Sequence, residues 1–138
     1  MRGEIKAKVN PTAAKPASVR LRSHRIEVAA LDYGEPAPGA QSMLLIHGMR
    51  DLAWSLDSVA QHFRDRFRVV SLDLRGHGDT EVPPGPYSID QLADDAAHLL
   101  DVLNLTTPVV VGGLSMGGYI ALAFQRRYDP DFRLVRER

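Results

Sequence analysis

One ten-residue segment, Val-Val-Val-Gly-Gly-Leu-Ser-Met-Gly-Gly at residues 109–118, constrains the fold more than any other part of the chain. Its β-branched run predicts a strand, its glycines predict a tight turn, and the residues that follow have a helical pattern. The pattern Gly-x-Ser-x-Gly lies inside it, at residues 113–117. A strand, a sharp turn and a helix in this order would hold Ser115 at the turn with its hydroxyl exposed.

The rest of the chain alternates apolar runs with helical patterns. The runs are typical of strands buried on both faces and lie at 43–46, 68–72 and 108–114. The helical patterns lie at 55–67, 88–104 and 116–128, and Ser88 with Gln91 fits a capping box. Alternating residues around 19–21 and 26–30 predict a hairpin of two half-exposed strands. These elements predict an α/β fold: a mostly parallel sheet, an antiparallel N-terminal hairpin, and helices on both faces.

Composition narrows the class of protein. The 138 residues are 44% hydrophobic and 25% charged, which suits one globular domain preceded by a flexible arm at residues 1–17. Basic and acidic residues number 17 each, so no bulk charge attracts nucleic acid. The absence of cysteine excludes disulfides and thiol catalysis. A polar N-terminus and the lack of a long apolar run predict a cytoplasmic protein with no membrane segment.

Three glycine-bearing loops follow the carboxyl ends of the three predicted buried strands. They are His47-Gly48-Met49, the Asp-Leu-Arg-Gly-His-Gly loop at 73–78, and the serine turn. In open α/β sheets the functional crevice lies at those strand ends. In this order the motifs resemble the N-terminal portion of the α/β-hydrolase fold superfamily, most closely its esterase, lipase, haloperoxidase-like and C–C-bond hydrolase members. The resemblance covers residues 19–130 and identifies residues 18–138 as a truncated α/β-hydrolase domain.

The resemblance implies catalytic roles for three positions. Ser115 would be the nucleophile, held on the turn that the family calls the nucleophile elbow. The backbone N–H groups of Met116 and Met49 would form the oxyanion hole, which stabilises the negative charge of a tetrahedral intermediate. The family implies no cofactor and no metal for this chemistry.

The resemblance also implies shaping roles for the small residues around the serine. Gly113 and Gly117 would permit the tight turn, and Gly118 would permit close helix packing. His47 and Gly48 would shape the loop after the first buried strand. Asp73 and Arg75 are expected to organise their loop by hydrogen bonds and charge pairing.

In the family, an acid and then a histidine follow the nucleophile along the chain. After Ser115 the acids are Asp129, Asp131 and Glu137, and no histidine follows. The third buried strand is therefore expected at an open edge, or paired with a short stub at 132–135. Open edges and apolar faces predict self-association or pairing with a complementing C-terminal half.

Taken together, these features predict a serine hydrolase by ancestry, acting on a small carboxylic ester or related acyl substrate. One alternative is a catalytically inactive remnant or binding fragment, because the triad acid and base have no counterpart in the sequence. Another is a perhydrolase or C–C-bond hydrolase, because those reactions use the same serine site. Neither nucleic acid nor a membrane is an expected partner.

Overall fold

The computed structural model describes residues 15–23, 26–105 and 108–128, and these form a five-stranded sheet with helices on both faces. The strands are β1 (Ala17–Ser23), β2 (Ile26–Asp32), β3 (Ser42–Ile46), β4 (Arg68–Leu72) and β5 (Val109–Gly113). Their order across the sheet is β1-β2-β4-β3-β5. β1 pairs antiparallel with β2 and β2 with β4, whereas β3 runs parallel to β4 and to β5. The predicted mixed sheet with an antiparallel N-terminal hairpin is confirmed.

The described residues form three α-helices: α1 (Asp57–Phe63) and α2 (Ile89–Val102) each connect two strands, and α3 (Met116–Tyr128) follows β5. A 3₁₀ turn at Ala53–Leu56 leads into α1, which is shorter than the predicted 55–67 because the chain turns at Arg64–Phe67 to enter β4. At the start of α2, the Ser88 hydroxyl accepts the Gln91 N–H at 3.0 Å, so Ser88 is the N-cap that the sequence predicts. No described helix is long and apolar enough to cross a membrane.

The two faces of the sheet bury separate sets of side chains, because successive residues of a strand point to opposite faces. Leu44 and Ile46 of β3 join a core formed with α2 and α3, together with Val70 and Leu72 of β4. The intervening residues pack on the opposite face with the 3₁₀ turn and α1; among them are Met43, Leu45 and Val69. A continuous apolar run such as 43–46 is therefore needed to cover both faces of a central strand.

Two expectations about burial are wrong. Strand β2 is buried rather than half-exposed, because it lies between β1 and β4 and a later loop covers it: the Ala29 N–H donates to Thr80 Oγ1 at 2.9 Å. Strand β5 is only partly buried, because β3 is its single partner among the described strands. Of the predicted arm at residues 1–17, residues 1–14 lie outside the described residues, and Ala17 already belongs to β1. The predicted stub at 132–135 also lies outside the described residues.

A buried ion pair joins the loop after β4 to α2. The Arg75 guanidinium donates two hydrogen bonds of 2.9 Å to the two oxygens of Asp95, and both side chains are largely buried, 12% and 7% exposed. Two parallel bonds of this kind fix orientation as well as distance. The loop that carries His77 is therefore attached to the helix beneath it.

We predict that Asp95→Ala lowers the free energy of unfolding by roughly 3 kcal/mol, because it leaves the buried Arg75 charge without its partner. The matched control on the same helix is Asp90→Ala. Asp90 pairs with Arg126, but both side chains are close to half exposed, so the loss there is much smaller. Urea denaturation of the two variants measures the difference, and equal losses at the two positions would contradict the anchoring role of Arg75 and Asp95.

Candidate active site

Three loops meet at one edge of the sheet. Ile46, the last residue of β3, is in register with Leu72 at the end of β4 and with Gly113 at the end of β5. Because these three strands are parallel, the loops that follow them leave the sheet side by side. They carry Met49, His77 and Ser115, so the structure brings the predicted site loops together.

Ser115 lies on a sharp turn between β5 and α3. Its φ is +56°, a left-handed conformation that is uncommon for a residue other than glycine. The turn is closed by hydrogen bonds from Leu114 N–H to Ile46 O at 3.0 Å and from Gly117 N–H to Leu114 O at 2.9 Å. The Ser115 side chain is exposed, and within the described part of the chain its hydroxyl has no hydrogen-bond partner. Ser115 therefore combines a strained backbone conformation with an exposed hydroxyl that has no partner among the described residues.

Two glycines allow the backbones around this turn to approach closely. A Cβ on Gly117 would lie 2.0 Å from Ile46 O, and a Cβ on Gly113 would lie 2.1 Å from Gly117 O. The close helix packing that the sequence places at Gly118 lies at Gly117 instead, since a Cβ on Gly118 would meet Gly113 O at an ordinary 3.6 Å. The reason is that Gly117 is on the side of α3 that faces β3.

The backbone beside Ser115 offers two unpaired donors. Gly48 packs against Ser115, because a Cβ at Gly48 would lie 3.4 Å from Ser115 Cβ and 4.0 Å from its Oγ. Met49 follows Gly48, and Met116 is the first residue of α3. Among the described residues, neither the Met49 nor the Met116 N–H donates a hydrogen bond. Unpaired amides near a helix N-terminus favour an anion or a developing negative charge.

Two histidines, His47 and His77, each hydrogen-bond the backbone of the neighbouring loop. His47, in the loop after β3, accepts the Leu74 N–H at Nε2 over 3.0 Å. His77, in the loop after β4, accepts the Arg50 N–H at Nε2, also over 3.0 Å. The two rings lie 5.0 Å apart. Each loop is thus held by an imidazole from the other.

The remaining ring nitrogens fix the protonation of this pair. Nδ1 of His47 faces Gly48 O at 2.6 Å, and Nδ1 of His77 faces Arg75 O at 3.0 Å. A nitrogen that faces a carbonyl donates and one that faces an N–H accepts, so both rings are neutral with the proton on Nδ1. Burial lowers the pKa of His47, which agrees with a neutral ring. Neither histidine has a nitrogen free to take a proton from Ser115.

Asp73, the first residue after β4, binds backbone groups of the same loops. Its two carboxylate oxygens accept the Ala53 N–H at 2.8 Å and the Asp79 N–H at 3.0 Å. Its carbonyl accepts the Thr80 hydroxyl at 2.6 Å. Asp73 is buried and fully engaged, as expected for a residue that organises the loop. No sequence signal marks Thr80, because its hydroxyl also accepts the N–H of Ala29, which is far away in the chain.

A complete catalytic triad is not formed by the described residues. None of their histidines or carboxylates hydrogen-bonds the Ser115 hydroxyl. Nor does any group of three or more metal-ligating side chains occur among them. The described residues therefore bring together an exposed serine hydroxyl and two unpaired backbone N–H groups, with no histidine or carboxylate bonded to that hydroxyl.

The sequence matches the model of the Alpha/beta hydrolase family over residues 43–136. It is 40% identical to 3-oxoadipate enol-lactonase 2 of Acinetobacter baylyi over 72 residues, which are 49% of this chain and 27% of that protein. It is 38% identical to human epoxide hydrolase 4 over 103 residues, which are 73% of this chain and 26% of that protein. The chain thus spans about a quarter of the length of these curated relatives.

Solved structures are likewise similar to this chain over only part of their length. A thermophilic esterase from Thermogutta terrifontis superposes with a TM-score of 0.72 at 38% identity, over 81% of this chain and 41% of the esterase. The enol-lactonase from Burkholderia xenovorans superposes with a TM-score of 0.75 at 30% identity, over 80% of this chain and 42% of the lactonase. The described fold therefore corresponds to about two fifths of each of these larger domains.

We predict that Gly117→Ala destabilises the fold, whereas Gly118→Ala does not. A methyl group at 117 collides with the Ile46 carbonyl, and overpacking of this kind costs about 1–3 kcal/mol. A methyl group at 118 makes ordinary contact and raises helix propensity. Chemical denaturation of both variants tests this, and a Gly117→Ala protein as stable as the Gly118→Ala protein would contradict the close approach.

We also predict that neutral His47 makes stability depend on pH. Because burial lowers its pKa, the unfolded state binds this proton more readily, and stability falls as pH drops below the ordinary histidine value of about 6.5. The slope from one such group is at most about 1.4 kcal/mol per pH unit. In His47→Gln this contribution is lost, so unfolding free energies between pH 7.5 and 5.5 should change less than in the unsubstituted chain. If the unfolding free energies of the two proteins changed equally with pH, His47 would not take up a proton when the chain unfolds.

Proposed function

Because the chain belongs to the Alpha/beta hydrolase family, we propose that Ser115 is the nucleophile of a serine hydrolase acting on carboxylic esters or related acyl compounds. The observation that carries the proposal is the conformation of Ser115. Its φ of +56° exposes an unpartnered hydroxyl at the edge where the three parallel strands end. Two unpaired backbone amides, of Met49 and Met116, belong to the turns on either side.

In the proposed reaction, Ser115 Oγ attacks the acyl carbon while a base takes the hydroxyl proton. The carbonyl π electrons move to oxygen, and the N–H groups of Met49 and Met116 stabilise the resulting oxyanion. Collapse of this intermediate expels the alcohol, which takes up the proton, and leaves an acyl group on Ser115. Water then attacks the acyl-enzyme in the same way and releases the acid.

We further propose that the base and its orienting acid come from outside residues 1–138. His47 and His77 are occupied at both ring nitrogens by backbone groups of the loops they join. No histidine follows Ser115 in the sequence. The relatives extend well beyond the matched region, so a longer protein or a complementing C-terminal half has room for both groups.

The proposed substrate class draws on the relatives and on the rim of the site. One similar structure is that of an esterase and another that of an enol-lactonase, and a lactone is a cyclic ester. Met49 and Leu114 flank the serine turn and are 68% and 53% exposed. Apolar side chains at the mouth of a site favour a substrate with an apolar acyl or alcohol group.

We predict that a fluorophosphonate probe labels Ser115 slowly in the purified chain, and that added imidazole accelerates the labelling by supplying the missing base. Ser115→Ala should abolish the labelling, and Ser58→Ala, which removes an exposed hydroxyl on α1, should leave it unchanged. Mass spectrometry of the labelled peptide identifies the modified residue.

Two results would count against the proposal. Absence of labelling in folded protein, with and without imidazole, would favour an inactive remnant or binding fragment. Fast labelling that imidazole does not change would mean that a base is already present within residues 1–138.

A further inference from the structure

The turn that carries the proposed Met49 donor is strained. Asp51 N–H donates to Gly48 O at 3.2 Å and closes a four-residue turn with Met49 and Arg50 in the middle. Arg50 occupies the third position with a φ of +62°, a conformation that turns usually assign to glycine. An arginine stays in this conformation only if its surroundings hold it there.

Met49 lies between two peptide units, and a histidine holds each of them. The unit before it consists of Gly48 C=O and Met49 N–H, and the carbonyl accepts the Nδ1–H of His47 at 2.6 Å. In a trans peptide the N–H points away from the C=O, so this bond directs the Met49 N–H away from His47. The unit after it contains the Arg50 N–H, which donates to His77 Nε2 at 3.0 Å.

His77 is itself fixed and therefore able to hold the turn. Its backbone N–H donates to Leu74 O at 2.8 Å, its carbonyl accepts the Thr80 N–H at 3.0 Å, and its Nδ1–H donates to Arg75 O at 3.0 Å. Arg75 is anchored to α2 through the Asp95 ion pair. The position of the Nε2 acceptor is thus determined by the sheet and α2 rather than by the turn it contacts.

We infer that His77 is a positioning residue for the hydrolase: its Nε2 accepts the Arg50 N–H and so holds Arg50 in the left-handed conformation of the turn from which the Met49 N–H is proposed to donate to the oxyanion. The middle peptide of a four-residue turn is the unit that rotates when one turn type converts to another. Without an acceptor at Nε2, the Met49–Arg50 peptide is free to rotate, Arg50 leaves its strained conformation, and the turn no longer holds the backbone of Met49 in one position. The inference rests on the proposed role of the Met49 amide, but the hold on Arg50 is measurable without any activity.

The experiment compares His77→Leu, which removes the acceptor, with His77→Gln, whose side-chain oxygen accepts at similar reach and does not titrate. His62→Gln, at an exposed position on α1, controls for the loss of a histidine. Amide hydrogen exchange by NMR reports on the Arg50 N–H. We expect exchange about tenfold faster in His77→Leu, and near that of the unsubstituted chain in His77→Gln and His62→Gln.

The second measurement is the probe-labelling rate of Ser115 in imidazole as a function of probe concentration. We expect His77→Leu to lower the maximal rate roughly 10- to 100-fold, with little change in the probe concentration at half-maximal rate. His77→Gln should restore most of that rate, which a general loss of folding would not allow.

The two measurements separate the possible failures. Unchanged Arg50 exchange in His77→Leu would overturn the positioning role. Faster exchange with an unchanged labelling rate would overturn the link between His77 and the oxyanion. If the unsubstituted chain is not labelled at all, the proposed function fails while the exchange result still decides whether His77 holds the turn.

Discussion

The contact on which the rest of the site depends is that between the first turn of α3 and the carboxyl end of β3. No side chain separates Gly117 from the Ile46 carbonyl, so the two backbones touch directly. The approach forces the chain to turn sharply between β5 and α3, and Ser115 takes up the strained conformation at the apex. The same approach places the first amide of α3 next to the end of β3. The position of Ser115 is therefore a consequence of direct backbone packing between α3 and β3.

The opposite side of the site is built differently. The loop after β3 is tied to the loop after β4 by the crossed bonds of His47 and His77, and the Asp73 carboxylate bonds the backbone further along the first of these segments, at Ala53. These bonds occupy both ring nitrogens of each histidine and both side-chain oxygens of Asp73, so they restrict the chemistry of the three residues. A histidine that accepts a backbone N–H cannot also accept a proton from the serine. The nearby imidazoles are thus part of the scaffold, and proton transfer falls to another group.

Most of the strands and helices could be predicted from the sequence, because the strongest sequence signals depend on neighbouring residues. The β4 boundaries match the predicted 68–72, the helix after the serine starts at Met116, and Ser88 caps α2, since each depends only on nearby residues. The errors concern contacts between distant segments. The burial of β2 depends on Thr80, and the bond between Arg50 and His77 spans 27 residues. Periodicity cannot indicate which glycine of a Gly-Gly pair faces β3. The close helix packing expected at Gly118 therefore lies one residue earlier, at Gly117.

In the proposed mechanism the site combines two kinds of chemistry that make different demands on the structure. Oxyanion stabilisation needs donors that are oriented before the reaction, and here the sheet, α3 and the crossed histidines orient them. Proton transfer needs a base with a free nitrogen or oxygen. His47 and His77 do not meet this need, because both nitrogens of each ring are bonded to the backbone. In serine hydrolases, donors and binding alone leave a rate about 10³–10⁴ above water when triad members are removed. If Ser115 acts as proposed, the described residues correspond to that part of the machinery, because backbone packing orients it without the base.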